Sequence, residues 1–216
     1  MTVKAVLFDF DGTVADTNQL VIDSWQHTYV TLEGEKHPVE KIVKTFGEPL
    51  RESMEKAFPD HDTDHVVDIY RDYQLNHDDR DLFMFPGIAD LLAGLRNKGY
   101  KVGIVTSRTK DTTLRGLEHF GIGGYIDALV TCNDTTRHKP DPEPALIGLR
   151  QLDVEACEAL FVGDTMFDIR CAHNAGIRAV LVDWSLSVDE DDRQGPDRPE
   201  YVIKKADDLY EVLKSC

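Results

Sequence analysis

Polar side chains that could do chemistry follow several short apolar runs of the sequence. The first run ends in two carboxylates two residues apart, Asp9 and Asp11, and Gly12 follows, where the backbone can turn sharply beside a ligand. The other candidates follow later runs or precede a helical pattern: Thr106, Ser107, Arg108, Lys139, Asp164 and Asp168. Clustered carboxylates repel one another unless a cation lies among them, and an oxygen-only ligand set suits Mg²⁺. A lysine and a hydroxyl beside that cation would face a ligand rich in negative oxygens, as phosphoryl transfer requires.

Each candidate also has an ordinary structural interpretation. An aspartate after a strand is often a turn or helix-capping residue, for example at Asp9 or Asp164. The hydroxyl of Thr106 could bond its own backbone, and Lys139 could be a solvated loop residue. What favours a site is that all these residues occur together, at four strand ends or adjacent loops.

The elements that would position these residues alternate between strand and helix. The apolar runs are Ala5–Phe10, Lys101–Thr106, Ala128–Thr131, Ala159–Gly163 and Ala179–Val182, and the helical patterns between the later runs are Gly87–Lys98, Asp111–Phe120, Pro144–Leu152 and Asp168–Ala175. Continuous hydrophobicity is typical of strands buried on both faces. The alternation predicts an α/β fold with a doubly wound, Rossmann-like parallel sheet. Ligands of such sheets bind at the carboxyl ends of the strands, where the candidates lie.

One long stretch interrupts this alternation, because no comparable strand lies between the first run and residue 101. Its patterns are helical and are broken by glycine and proline. They cover Leu20–Leu32, Val39–Phe46, Leu50–Phe58 and Asp64–Asn76. We therefore predict an α/β core formed by residues 1–16 and 86–216, and an inserted all-helical cap domain formed by residues 17–85.

Composition narrows the class of partner. The chain has 216 residues, of which 24 are basic and 40 acidic, giving a net charge of -16. Nucleic acids and anionic membranes are therefore not expected as partners, since binding them needs a cationic surface. Residues 86–180 are nearly neutral, with 11 basic and 12 acidic residues, so an anionic ligand is compatible with that region. The four cysteines have no metal-ligand spacing and no targeting segment is visible, which together predict a cytoplasmic protein.

In this order the residues resemble the four motifs of the haloacid dehalogenase superfamily. Residues 9–17 (DFDGTVADT) are similar to the first motif, and residues 163–168 (GDTMFD) to the last. Thr106 and Lys139 match the second and third motifs. An aspartate two positions after Asp9 is typical of the phosphatases and mutases of the superfamily rather than its dehalogenases.

A narrower resemblance concerns substrate. The helical insertion after the first motif resembles the C1 cap of the phosphoglycolate-phosphatase-like group. Five blocks are similar to inorganic pyrophosphatases of the PpaX type from Gram-positive bacteria: residues 16–18, 47–50, 103–106, 111–117 and 139–144. This resemblance implies pyrophosphate as the leading substrate. Phosphoglycolate or another small phosphomonoester is the alternative, because similar blocks recur in phosphoglycolate phosphatases.

The superfamily resemblance also implies roles. Asp9 would be the nucleophile that forms an aspartyl-phosphate, and Asp11 the acid that protonates the leaving oxygen and then the base that activates water. Thr106 and Lys139 would bind the phosphoryl oxygens. Ser107 competes with Thr106 for the hydroxyl role, but Thr106 directly follows the apolar strand. Backbone amides of Asp11, Gly12 and Ser107 would donate further hydrogen bonds to the transferred group.

The same resemblance implies Mg²⁺ as cofactor. Its ligands would be the Asp9 carboxylate, the backbone carbonyl of Asp11 and the Asp164 carboxylate. Asp168 would orient metal-bound water or Lys139 without binding the metal. No oligomeric state is predicted.

Substrate contacts from the cap are less constrained by the sequence. Arg51, in the loop and helix start at residues 47–51, could clamp a second phosphate or a carboxylate, although a solvated arginine is an equal alternative. Arg108 lies beside the second motif and could also reach substrate. His61 and His65 are four residues apart and could share a helical face, but their acidic surroundings favour a solvent-facing position.

Three other classes of protein share part of this pattern. A signalling receiver domain also uses an aspartate, a hydroxyl, a lysine and Mg²⁺, but it lacks the second aspartate with its Gly-Thr and the long insertion. A binding protein that keeps the fold as a scaffold would be suggested by loss of Asp9 or Asp11, and both are present. A mutase of the β-phosphoglucomutase kind ranks below a phosphatase because the cap lacks the expected His-x-x-Gly-x-x-Arg pattern.

Overall fold

The main sheet of the protein has six strands, all parallel. The computed structural model describes residues 2–216, and for residues 78–81 it describes the backbone alone. The strands of this sheet are β1 (Ala5–Phe8), β4 (Lys101–Val105), β5 (Ala128–Val130), β6 (Ala159–Gly163), β7 (Arg178–Val182) and β8 (Tyr201–Ile203). They lie in the order β5-β4-β1-β6-β7-β8.

Helices follow the strands as a doubly wound fold requires, which confirms the predicted fold class. The helices between the strands and after the last one are α5 (Ile88–Asn97), α6 (Lys110–His119), α7 (Glu143–Leu152), α8 (Met166–Asn174), α9 (Glu190–Gln194) and α10 (Leu209–Ser215). After β1 the chain forms β4 and β5 on one side of it, and then crosses to form β6, β7 and β8 on the other side. A crevice for ligands therefore opens at the carboxyl end of β1.

The apolar run of β1 is continuous because both of its faces are covered. Val6 and Phe8 pack in the apolar cluster on one side of the sheet, and Ala5 and Leu7 pack in the cluster on the other. All four side chains are fully buried. Burial of this order stabilises a side chain by about 1.5–3 kcal/mol, so the strand that carries Asp9 is firmly fixed.

Four helices between residues 18 and 81 form their own apolar cluster. They are α1 (Asn18–Glu33), α2 (Val39–Val43), α3 (Leu50–Ala57) and α4 (Thr63–Asp81). The cluster is centred on aromatic residues that include Trp25, Tyr29 and Phe58, and it is separate from the two clusters on the sheet. Its helical character matches the predicted cap, while the proposed division at residues 17 and 85 stays a prediction.

The two connections between cap and core pair with each other. Strands β2 (Ala15–Asp16) and β3 (Phe83–Met84) form a two-stranded antiparallel ribbon. This ribbon was not predicted, because two-residue strands leave no readable periodicity. It ties the chain entering the cap to the chain leaving it.

The C-terminal segment also departs from expectation. The acidic stretch Asp189–Asp192, with Gly195 and Pro196 after it, has the composition of a solvated loop, but it begins helix α9. The Asp189 side chain accepts a hydrogen bond from the Asp192 amide at 3.0 Å, and acidic residues in a first turn stabilise the helix dipole. Strand β8 and helix α10 were missed, since β8 is a three-residue edge strand with Val202 44% exposed.

Candidate active site

Lys139 lies at the centre of a buried charge cluster below the carboxyl edge of the sheet. Its ammonium nitrogen Nζ is 2.8 Å from Asp9 Oδ1 and 2.6 Å from Asp168 Oδ1. It also approaches the carbonyl of Val105, the last residue of β4, at 3.4 Å. Lys139 is 3% exposed and Asp168 is fully buried. The three charges therefore fix one another in a geometry that solvent does not loosen.

Burial and charge act against each other on these groups. Burial raises the pKa of Asp9 to about 7, against the lowering effect of the Lys139 ammonium. Burial alone would lower the pKa of Lys139, but Asp168 and Asp9 together hold it above its ordinary value. Lys139 is thus a permanent cation beside the Asp9 carboxylate.

Asp164 supplies a third buried carboxylate. Ligand oxygens of Asp9, Asp164 and Asp168 all lie within 4.8 Å of one another. Burial, followed by the charges of Asp168 and Asp9, raises the pKa of Asp164 well above its ordinary value. The side-chain hydrogen bond given to Asp164 by the described residues is a long one, from Thr13 Oγ1 at 3.4 Å. These oxygens fit a hard divalent cation, because one lysine leaves the cluster short of positive charge.

Gly12 is required here by the closeness of Asp164. Its φ is +76°, and a Cβ atom at this position would lie 2.1 Å from Asp164 Oδ2. The Gly12 amide donates to the Ala15 carbonyl at 2.8 Å. A neighbouring turn therefore uses this amide in the structure, and its donation to the substrate stays a prediction. The role of Gly12 is to let the Asp9–Thr13 loop approach Asp164.

Asp11 faces the cavity and is paired with Arg108. Arg108 Nη1 is 3.0 Å from Asp11 Oδ1, and the guanidinium carbon lies 5.7 Å from the centre of the Phe10 ring. Tyr70 of the cap is close enough for Asp11 and Arg108 to act on its hydroxyl, whose pKa burial raises. Asp11 is 33% exposed, in contrast to Asp9 at 8%. It is therefore the more accessible of these two carboxylates.

Thr106 and Ser107 both line the cavity after β4. Thr106 Oγ1 accepts the Arg108 amide at 3.1 Å, which leaves its own proton to donate. The Ser107 hydroxyl is buried and has no hydrogen-bond partner among the described residues. Both hydroxyls can therefore donate to a ligand, and the two alternatives of the sequence analysis stay open.

Asp168 joins the reaction centre to the cap. Its Oδ2 accepts hydrogen bonds from the Thr165 hydroxyl at 2.7 Å and the Thr165 amide at 3.0 Å, while its Oδ1 binds Lys139. A Cβ at Gly47, in the cap loop, would lie 2.6 Å from Thr165 Oγ1. The cap loop therefore rests directly on the residue that orients Asp168.

Core and cap together enclose a cavity of about 940 Å³ above this centre. Every core residue proposed for the site lines it except Asp168, which lies beneath. The lining from the core includes Asp9, Asp11, Gly12, Thr106, Ser107, Arg108, Lys139 and Asp164. The structure thus brings together the residues that the sequence separates by more than 150 positions.

Arg51 is not brought to this cavity. It forms an ion pair with Asp64 on the surface of the cap and is 62% exposed, as the alternative of a solvated arginine anticipated. The physical reason is that it lies one residue into α3, on the side turned toward α4. His61 and His65 are exposed, and neither belongs to a metal-binding group formed by the side chains that the structure describes.

Several residues of the site were missed by the sequence analysis. Arg71, Gln74 and Leu75 of α4 line the cavity, as does Arg115 of α6. The spacing of the α4 residues, one helical turn apart, was a usable signal that one face of α4 turns to the core. Nothing in the sequence would have singled out Trp184.

Trp184 forms a hydrogen bond with the loop that follows β1. Its indole Nε1 donates to the Gly12 carbonyl at 3.1 Å. The next residue, Ser185, donates its hydroxyl to the Asp164 carbonyl at 2.5 Å. The segment after β7 therefore holds the backbone of both loops that carry the candidate metal ligands.

The buried Asp-Lys-Asp centre lies at the carboxyl edge of a doubly wound sheet and is covered by inserted helices, as in a capped enzyme of the α/β class. The sequence model of the haloacid dehalogenase-like hydrolase family matches residues 6–182 of this chain. The chain belongs to this family, and the predicted hydrolase class, acting on phosphoric ester or anhydride bonds, is confirmed.

Curated relatives extend over the whole chain. A "putative pyrophosphatase PpaX" from Caldanaerobacter subterraneus subsp. tengcongensis is 38% identical, over 100% of this chain and 97% of its own length. The pyrophosphatase PpaX of Bacillus pumilus is 35% identical, over 98% of this chain and 97% of its own length. The predicted resemblance to this group is confirmed.

A solved structure agrees with the fold. The crystal structure of a "putative phosphoglycolate phosphatase" from Lactobacillus plantarum is 26% identical, with a TM-score of 0.87. It covers 98% of this chain and 100% of its own. Among the described residues, no helix is long and apolar enough to cross a membrane.

Proposed function

We propose that the protein is a Mg²⁺-dependent phosphohydrolase that acts through an aspartyl-phosphate and hydrolyses inorganic pyrophosphate. The observation that carries this proposal is the Asp9 carboxylate, buried on the floor of the cavity and held 2.8 Å from Lys139. A carboxylate held in this way is aimed at a ligand and not at solvent. The Lys139 ammonium offsets its negative charge, which reduces the repulsion between the carboxylate and an anionic phosphoryl group.

In the first step a carboxylate oxygen of Asp9 attacks one phosphorus of the substrate. The bond from that phosphorus to the leaving oxygen breaks as the bond to Asp9 forms. Protonated Asp11 gives its proton to the leaving oxygen, so that phosphate departs instead of a more highly charged ion. Lys139 and the hydroxyl of Thr106 or Ser107 stabilise the charge on the transferred group.

In the second step the aspartyl-phosphate is hydrolysed. Asp11, now a carboxylate, accepts a proton from water, and that water's oxygen forms a bond to phosphorus as the Asp9 oxygen leaves. Asp9 is regenerated as a carboxylate and Asp11 as an acid. The 33% exposure of Asp11 supports this role, because the group must meet both the leaving oxygen and water.

The residues that would hold Mg²⁺ are Asp9, Asp164 and the backbone carbonyl of Asp11. When bound, the ion supplies positive charge that favours approach of an anionic substrate to a carboxylate nucleophile. Asp168 binds Lys139 and Thr165, and we assign it the positioning of Lys139. These oxygens suit Mg²⁺ because the carboxylates of Asp9 and Asp164 lie within 4.8 Å of each other in the buried cluster.

Pyrophosphate is favoured as substrate by the full-length relatives named PpaX pyrophosphatase. Phosphoglycolate is the second candidate, since the Lactobacillus plantarum structure bears that name. The helical cap, which we place at residues 17–85, would close over the substrate and exclude water during the reaction.

The test is a comparison of kcat/KM for pyrophosphate, phosphoglycolate and hexose phosphates with Mg²⁺ present. We expect pyrophosphate to have the highest value, and the Asp9→Asn variant to lose at least about 10³-fold in turnover because it lacks the nucleophile. Absence of phosphate release from every substrate, or full activity of Asp9→Asn, would contradict the proposed class. A clear preference for an organic ester would contradict pyrophosphate alone.

A further inference from the structure

Three basic residues outside the family motifs line the cavity, one from the cap and two from the core. Arg71 comes from α4 of the cap, and Lys110 and Arg115 come from α6 of the core. All three line the same cavity as Asp9 and Thr106. We call these three residues the basic wall.

The basic wall has no internal charge partner. None of the three is among the ion pairs formed by the residues whose side chains are described. Asp111, which also lines the cavity, makes no ion pair with them, and Glu48 is paired with Lys56. In a chain of net charge -16, three cations around one cavity with no ion-pair partner among the described side chains favour an anionic ligand there.

The two sides of the wall meet at the loop after β5. The Lys110 amide donates to Asn133 Oδ1 at 2.9 Å, and Asn133 also lines the cavity. Neighbouring Cys132 is close enough to Arg71 for the guanidinium charge to act on its thiol, whose pKa burial raises. The cap arginine and the core lysine therefore border one continuous stretch of surface.

In-line displacement determines which part of the substrate this surface meets. The leaving group departs on the side opposite the attacking carboxylate of Asp9. Asp9 forms the floor of the cavity, so the leaving group lies toward the rest of the lining, to which α4 contributes Arg71 and Gln74. A leaving group with its own negative charge would be bound by Arg71 and Lys110 in that position.

We propose that the basic wall is a second anion subsite, which binds the leaving half of the substrate and selects leaving groups that carry phosphate or carboxylate. This inference rests on the proposed function for the identity of the reaction. It names the residues of this chain that would distinguish pyrophosphate from an ester with an uncharged leaving group.

The kinetic test compares pyrophosphate with p-nitrophenyl phosphate, whose leaving group has no further anion. For Arg71→Gln and Lys110→Gln we expect kcat/KM for pyrophosphate to fall about 10-fold, and that for p-nitrophenyl phosphate to change less than about 2-fold. Arg71→Lys should retain more pyrophosphate activity than Arg71→Gln. Equal losses for both substrates would overturn the proposal.

A binding test separates this inference from the proposed function. Calorimetry would measure how tightly the Asp9→Asn variant, with Mg²⁺ present, binds two compounds. Methylenediphosphonate has two anionic groups and methylphosphonate has one. Adding Arg71→Gln should weaken the first about 10-fold and leave the second unchanged. If the chain hydrolyses no phosphate but shows this pattern, the proposed function fails and the subsite stands.

Arg150→Gln is the matched control. Arg150 is an exposed arginine on α7 and does not line the cavity. This variant should leave the preference for pyrophosphate over p-nitrophenyl phosphate at the wild-type value. A preference reduced as much as in Arg71→Gln would mean that overall charge, and not the basic wall, sets the selectivity. If phosphoglycolate is the better substrate, loss of its turnover in Arg71→Gln supports a carboxylate as the bound anion.

Discussion

The floor of the cavity and the basic wall hold their charges in different ways. On the floor, Lys139 is 3% exposed and is bound by two carboxylates at 2.8 and 2.6 Å. On the wall, Arg71, Lys110 and Arg115 are exposed and form no ion pair with a described carboxylate. The floor is complete without substrate, whereas the wall acquires its partner from the ligand.

This difference suggests how chemistry and selectivity are divided. Charges that bind one another in a buried cluster keep their geometry whichever substrate binds, and so suit a step common to many substrates. Unpaired charges at the border of two elements contribute only when a ligand of matching charge is present. Variants of the floor should therefore affect folding and every substrate, and variants of the wall should affect some substrates.

The largest effect is expected from Lys139→Met. It leaves Asp9 and Asp168 buried without their cation, which destabilises a protein by about 3–5 kcal/mol. Activity toward all substrates should fall together. The free energy of unfolding, from urea titrations at pH 8 and pH 5.5, should show a smaller deficit at the lower pH, where Asp9, whose pKa burial raises to about 7, is protonated. An equal deficit at both pH values would contradict a fixed ionic floor.

A smaller effect is expected from Mg²⁺ and pH. The raised pKa of Asp9, about 7, means that the folded state holds a proton that the unfolded state releases near pH 4. Without Mg²⁺, stability contributed by this group therefore falls as pH rises from about 4 to 7. The ion binds the carboxylate form, so its stabilising effect on Tm should be larger at pH 8 than at pH 6.

Asp164→Asn is the control for that measurement. It removes a predicted ligand, and it should abolish most of the Mg²⁺ increment in Tm at pH 8 while the variant remains folded. An Mg²⁺ increment that does not depend on pH, or that survives in Asp164→Asn, would place the ion elsewhere.

Trp184→Phe should have a modest effect. It keeps an aromatic ring but removes the donor to the Gly12 carbonyl, a hydrogen bond of about 1 kcal/mol. We expect a loss of about 5-fold in kcat, with the ratio of pyrophosphate to p-nitrophenyl phosphate turnover unchanged. Because the affected loop belongs to the floor, a shift in that ratio would contradict the division described above.

The smallest effect is expected from Arg51→Gln. Arg51 pairs with Asp64 on the cap surface, away from the cavity. Its kcat/KM for pyrophosphate should stay within about 2-fold of the wild type, because exposed ion pairs contribute about 0–1 kcal/mol. A loss as large as that of Arg71→Gln would show that the cap moves Arg51 into the site during turnover.

The sequence could predict the floor because strand ends fix it. Asp9, Thr106 and Asp164 each follow a buried apolar run, and parallel strands bring their carboxyl ends together. The wall depends on the rotation of α4 about its own axis and on where the cap rests. Arg51 and Arg71 are both polar positions on amphipathic cap helices, and local pattern does not distinguish them.

The same reasoning explains the missed C-terminal elements. Strand β8 has three residues and lies at the edge of the sheet, so its pattern is too short to read. Trp184 follows β7 without a motif, and its bond to Gly12 joins residues 172 positions apart. Such contacts depend on packing of the whole chain.

Trp184 also gives the protein an optical probe of its own active site. The chain has two tryptophans, and the other, Trp25, lies in the aromatic cluster of the cap. In a Trp25→Phe background, fluorescence would come from an indole hydrogen-bonded to the loop beside Asp11. Its emission would follow changes in that loop as Mg²⁺ or substrate is titrated, in real time and without an attached dye.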